Sequence, residues 1–77
     1  MDIKVLGPGC RNCVTLEQRT QRALDELGLT AEVEKVTDPG EIIGYGVMAT
    51  PGLVVDGEVV VSGKVPSVRQ LTGMLGG

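Results

Sequence analysis

The 77-residue chain has no histidine, tryptophan or phenylalanine, and Tyr45 is its one aromatic residue. Without large rings, a core has to be assembled from Val, Leu and Ile, which suits a sheet covered by helices. Zinc usually takes four ligands, and histidine is not among those on offer. The chain holds two cysteines, Cys10 and Cys13, so only a dimer sharing both pairs could supply four thiolates. Basic clusters are missing as well. Seven Lys and Arg stand against ten Asp and Glu, for a net charge of −3, so neither a nucleic acid nor an anionic membrane is an expected partner. No apolar run approaches the ~20 residues of a membrane span. Met1-Asp2-Ile3-Lys4 lacks a basic region leading into an apolar stretch, so no secretory leader is expected and the cytoplasm is the expected compartment.

What the chain does contain begins with Ile3-Lys4-Val5-Leu6, a short strand closed by the breaker Gly7-Pro8-Gly9. A helix is predicted from about Arg11 to Leu27. Its inward stripe is Cys13, Leu16, Thr20, Ala23, Leu24 and Leu27; Glu17, Gln18, Arg19, Gln21, Arg22, Asp25 and Glu26 form the wet face. Gly28 supplies the stop. A second strand follows over 31–36. Asp38-Pro39-Gly40-Glu41 then reads as a helix start, with Asp38 as cap, Pro39 as first helical residue and Glu41 as partner in a capping box. Gly44 and Gly46 keep that helix short. Residues 52–55 and 58–62 are two strands joined by Asp56-Gly57, a strong two-residue hairpin signal. Pro66 and Ser67 open a last helix carrying Val68, Leu71 and Leu75, with Gln70 placed to complete a box with Ser67. The order is βαβαββα. A right-handed crossover makes the first two strands parallel, and the hairpin adds antiparallel strands. The expected fold class is therefore α/β, a four-stranded mixed sheet with helices on both faces.

The chemistry is concentrated in Cys10-Arg11-Asn12-Cys13, placed where strand gives way to helix. A cysteine pair in the cytosol is more often catalytic or metal-binding than structural. A bridge across two intervening residues would also constrain the unfolded chain little. The two thiols are not equivalent: Cys13 lies on the inward stripe, while Cys10 sits a turn earlier at the exposed helix end. Unpaired N–H groups there favour a thiolate on Cys10. Arg11 adds to this if its side chain bends back over the sulfur, and contributes little if solvated.

These residues, with Thr50-Pro51 leading into the Leu53-Val54-Val55-Asp56-Gly57 hairpin, resemble the thioredoxin/glutaredoxin superfamily, in particular its small thioredoxin-like redox-active disulfide proteins. The resemblance covers essentially the whole chain and implies a minimal thioredoxin fold, one domain over residues 1–77. It implies a thiol–disulfide oxidoreductase that reduces protein or small-molecule disulfides, with Cys10 as attacking nucleophile and Cys13 resolving the mixed disulfide. Pro51 would be cis and lie against the cysteines. Thr50 would offer its backbone N–H and C=O to an extended substrate segment. No cofactor beyond the Cys10–Cys13 disulfide is implied. The partners would be a disulfide-bearing substrate and a reductase that recharges the dithiol, and the mixed, acidic surface makes a monomer the default. The chain departs from the thioredoxin pattern at Gly9 and Arg11-Asn12, and no lysine precedes Cys10 to meet a glutathione carboxylate. The group that accepts the proton of Cys13 is not legible.

Two rivals share parts of this pattern. Small copper chaperones also carry CxxC between a first strand and a helix, and two thiolates suit Cu(I). Their order is βαββαβ, however, and they have no use for Thr50-Pro51. Ubiquitin-like sulfur carriers end in Gly-Gly, as this sequence does at Gly76-Gly77, but they open with a hairpin. Met48, just before Thr50, has two readings: the rim of a substrate groove, or packing. Tyr45 is expected to pack its ring at the end of the short helix.

Overall fold

The first strand, β1 (Asp2–Leu6), lies inside the sheet and pairs on both sides. The computed structural model describes residues 2–76, so Met1 and the Gly77 of the terminal pair lie outside the described residues. On one side of β1 runs β2 (Glu32–Val36), parallel and in register from Asp2 opposite Glu32 to Leu6 opposite Val36. Parallel neighbours need a crossover, and α1 (Arg11–Leu27) provides it. On the other side runs β3 (Gly52–Val55), antiparallel, followed by β4 (Glu58–Ser62). The short α2 (Pro39–Gly44) precedes β3, and α3 (Val68–Gly76) ends the described chain. The strand order β2-β1-β3-β4 and the element order are those of a minimal thioredoxin fold, and not the copper-chaperone order.

Alternation along β1 divides its side chains between two cores. Ile3 and Val5 join Leu53 and Val61 beneath α1 and α3, where Leu16, Ala23, Leu24, Leu71 and Leu75 close over them. Leu6 points the other way, to Val36, Ile42, Val47 and Val54 on the α2 side. The aliphatic core demanded by the composition is thus two thin layers, one on each sheet face.

Local signals explain most boundaries. Asp56 (φ 51) and Gly57 (φ 84) both take the left-handed conformations that a two-residue hairpin of matching twist requires. The Asp56 carboxylate also accepts from the N–H of Asp2 at 2.8 Å, tying the turn to β1. Ser67 and Gln70 form a complete capping box. The Gln70 N–H donates to Ser67 Oγ at 3.2 Å, and the Ser67 N–H donates to Gln70 Oε1 at 2.9 Å.

Three details differ from expectation. Asp38 caps α2 by accepting from the N–H of Gly40 at 3.1 Å rather than from Glu41, so the expected box is replaced by a tighter turn within reach of a short aspartate. The hairpin carries a register shift: Leu53 faces Val61, yet Val54 faces Val59, which leaves Val60 as an extra residue. Val59-Val60-Val61 has no apolar–polar alternation to fix its register, so a bulge is accommodated there. Met48 is 99% exposed, which excludes its packing reading. Tyr45, by contrast, packs against the α2-side core as expected, and its hydroxyl accepts from Lys4 Nζ at 2.9 Å.

Among the described residues, the Ser67–Gln70 box is the only side-chain cap of α3. Ser67→Ala should lower unfolding free energy by about 1 kcal/mol, read as a lower urea midpoint with unchanged slope.

Candidate active site

The site is built where β1 ends. The Gly7 N–H still donates to Val36 O at 2.9 Å, carrying the parallel ladder one residue past the strand. Pro8 and Gly9 (φ 84) then turn the chain. Cys10 takes extended angles (φ −67, ψ 169) as the N-cap residue of α1, and its carbonyl accepts from the Val14 N–H at 3.0 Å. Its side chain makes no capping hydrogen bond to the helix. The first turn of α1 has no acidic residue, so nothing there offsets the positive end of the helix dipole.

The two thiols occupy opposite environments. Cys10 is exposed, whereas Cys13 is 5% exposed, and their sulfurs lie 2.6 Å apart as free thiols. The sulfur–sulfur hydrogen bond draws the Cys10 pKa below that of an ordinary thiol, with help from the backbone N–H groups of Cys13 and Asn12. Burial pushes the Cys13 thiol up, and donation to Cys10 pushes it further the same way. The proton they share therefore belongs on Cys13, and the negative charge on Cys10. Arg11 is exposed, and among the described residues its side chain makes no ion pair or hydrogen bond.

Gly7 brings the other half of the site close. A Cβ at this position would overlap Cys13 Sγ and lie 3.8 Å from the Cβ of Thr50. Only glycine lets the buried sulfur and the Thr50 segment approach the same stretch of backbone. The Thr50–Pro51 peptide is cis; Pro51 is buried and Thr50 exposed. The Pro51 carbonyl accepts from the Gly63 N–H at 2.8 Å, while neither the N–H nor the C=O of Thr50 has a partner among the described residues. Beside them runs a groove of about 290 Å³ lined by Pro8, Pro39, Ile43, Met48 and Thr50. Ile43 is 72% exposed. Cys10, Cys13 and Thr50 thus converge around Gly7-Pro8.

A second cavity, of about 160 Å³, is lined by Gly7, Gly9, Cys13, Glu17 and Lys35 among others. Helical period places Glu17 on the wet face, yet it is only part-exposed, one turn after Cys13 on the same helix. Among the described residues, no group of three or more His, Cys, Asp or Glu side chains could hold a metal ion. Nor is any described helix long and apolar enough to cross a membrane.

Comparison with known proteins agrees with this geometry. A family model described as a thioredoxin domain matches residues 1–76. A thioredoxin of Methanothermobacter thermautotrophicus is 41% identical over 75 residues, covering 97% of each chain. A thioredoxin of Methanocaldococcus jannaschii is 41% identical over 69 residues, which is 90% of this chain and 79% of that protein. The chain belongs to the thioredoxin family and is a thiol–disulfide oxidoreductase.

Proposed function

We propose that the Cys10–Cys13 dithiol reduces disulfides of proteins or small molecules, with Cys10 attacking and Cys13 resolving. One observation carries the reading: an exposed sulfur held toward its thiolate lies 2.6 Å from a buried sulfur that holds the proton. The exposed thiolate can reach a substrate disulfide. The buried thiol can reach only Cys10, so it acts after the mixed disulfide has formed. Electrons pass as a pair from the dithiol to the substrate, and the product is the Cys10–Cys13 disulfide. No cofactor is needed for this exchange.

Thr50 and Pro51 form the substrate seat in this reading. The N–H and C=O of Thr50, which have no partner among the described residues, can pair with an extended backbone irrespective of its side chains. Arg11 is given a secondary part in stabilising the thiolate, behind Cys13 and the helix N–H groups. The domain works as a cytoplasmic monomer, and a separate reductase restores the dithiol.

Cys10→Ser should abolish disulfide reduction, whereas Cys13→Ser should accumulate a mixed disulfide with substrate, seen by mass spectrometry. Normal turnover by the Cys13→Ser protein would falsify the assigned roles.

The titration gives a further check. Alkylation of reduced protein should show Cys10 reacting with a midpoint below the ordinary ~8.5 of a free cysteine. Cys13→Ala removes the principal stabiliser of the thiolate, so the midpoint must move up. Arg11→Ala should move it up by less than Cys13→Ala does. Equal or opposite shifts would remove the sulfur–sulfur hydrogen bond as the leading cause.

A further inference from the structure

Charge is sorted along the strand axis of the molecule. The registers put Leu6, Val36, Gly52 and Ser62 at one level of the sheet, the end at which Cys10 follows β1. Asp2, Glu32, Asp56 and Glu58 gather at the opposite end, and Asp25 and Glu26 join them from the last turn of α1. These are six of the ten acidic residues of the chain.

The cations are distributed differently. Lys4 donates to the Tyr45 hydroxyl, and Arg19 to the carbonyls of Val65 and Pro66. Arg22 and Lys35 stand 3.7 and 3.3 Å from Glu26 and Glu17. Of the seven Lys and Arg residues, that leaves Arg11, Lys64 and Arg69, all exposed, with no side-chain partner among the described residues. All three follow the Cys10 end of the sheet in the chain: Arg11 opens α1, Lys64 comes two residues after β4, and Arg69 is the second residue of α3.

Two of them are tied to the thiol site. Arg11 follows Cys10 directly. Lys64 follows Gly63, which is fastened to the Thr50 segment. The Gly63 N–H donates to Pro51 O at 2.8 Å, and a Cβ on Gly63 would lie 2.8 Å from the Cβ of Ala49. One cation thus belongs to the turn that carries the cysteines, and the other to the loop that backs the Thr50 seat. The acids at this end have other engagements. Asp38 caps α2 by accepting from the Gly40 N–H at 3.1 Å, and Glu41 lines a separate pocket with Lys4 and Tyr45.

We infer that Arg11 and Lys64 select disulfides flanked by anionic groups such as carboxylates. This rests on the reading of Cys10 as attacking thiol and of Thr50 and Pro51 as substrate seat. In the attack, Cys10 Sγ bonds to one substrate sulfur, the substrate S–S bond breaks, and its electron pair leaves on the other sulfur. A carboxylate beside that bond meets like charge in the thiolate and in a protein of net charge −3. Two unpaired cations near the reacting sulfurs offset this repulsion, and they disfavour a substrate with cationic flanks. The acids at the far end of α1 act on orientation instead. A helix of 17 residues is about 25 Å long, well beyond the ~10 Å screening length of dilute salt. Their field turns an anionic substrate toward the mouth without touching it.

Dithiobisnitrobenzoate and dithiodipyridine test this. Both are aryl disulfides that release a coloured thiol; the first carries two carboxylates, and the second is uncharged at neutral pH. Stopped-flow rates of first thiol release, which reports attack by Cys10, give an anionic-to-neutral ratio. A change in thiolate fraction acts on both substrates alike and cancels in that ratio, so a pKa effect of Arg11 cannot imitate recognition. Arg11→Gln and Lys64→Gln should each lower the ratio about threefold at low salt, and the double variant by roughly the product. Raising salt to about 0.5 M should lower the wild-type ratio, and in the double variant that dependence should flatten or reverse. Arg22→Gln removes the same charge from the far half of α1 and should leave the ratio in place. An unchanged ratio in the double variant would overturn the inference, as would an equal fall in Arg22→Gln, which would assign the effect to net charge. A wild-type ratio indifferent to salt would overturn it without any variant. First thiol release at the wild-type rate by Cys10→Ser would instead sink the cysteine assignment, an outcome distinct from the others.

Discussion

One sulfur is pressed against the backbone at Gly7 while its neighbour, one turn earlier, is left in solvent, and this placement governs the chemistry of the molecule. Two cysteines in equivalent surroundings would share a proton evenly and neither would be a committed nucleophile. Here burial raises the cost of charge on Cys13, and the hydrogen bond from Cys13, with the N–H groups of the helix mouth behind it, lowers it on Cys10. The sulfur–sulfur hydrogen bond reinforces both shifts at once, because it exists only when the proton sits on one side. The two thiols titrate as a coupled pair, and the asymmetry belongs to the pair as much as to either residue. What the fold supplies is the direction of that asymmetry.

That direction depends on a modest framework. β1 must end where α1 begins, so that the first cysteine caps the helix and the second turns under it. The bond from the Gly7 N–H to Val36 holds the strand end in place while Gly7 yields room for the sulfur. Leu16, Ala23 and Leu24 anchor the same helix against Ile3 and Val5, so the register of the buried stripe sets which thiol is inward. With aliphatic layers this thin, helix caps and tight turns carry a larger share of the organisation than they would in a larger domain. The complete box at Ser67 and the double tie between Asp56 and Asp2 are the visible cases.

Features governed by local chemistry could be read from the sequence. Helix α1 spans the stretch that its apolar stripe and Gly28 delimit, and the Asp56-Gly57 turn sits between the strands it joins. The exposed and buried status of Cys10 and Cys13 followed from the same stripe. What escaped depends on neighbours distant in the chain. The Val60 bulge comes from a valine run whose register is decided by its partner strand. Arg19 looked like a solvated arginine, yet its guanidinium donates to the carbonyls of Val65 and Pro66 at 3.3 and 3.2 Å, fastening α1 to the segment before α3. The groove beside Thr50 joins residues from three separate stretches of chain, so no periodicity could announce it.

Glu17 shows where a binary reading of helix faces breaks down. Four residues at 100° each carry it about 40° past Cys13, which is the boundary of the buried stripe and not its opposite. A carboxylate at such a boundary can turn toward solvent or inward, and its own chemistry favours solvent. The choice is made by Lys35, whose β2 position is set by the parallel register that also places Val36 opposite Leu6. The crossover that makes β1 and β2 parallel thus brings a cation to the cavity that Cys13 lines. A four-strand sheet with a two-residue shift of that register would keep its core and its CxxC, yet leave the carboxylate without its counter-charge.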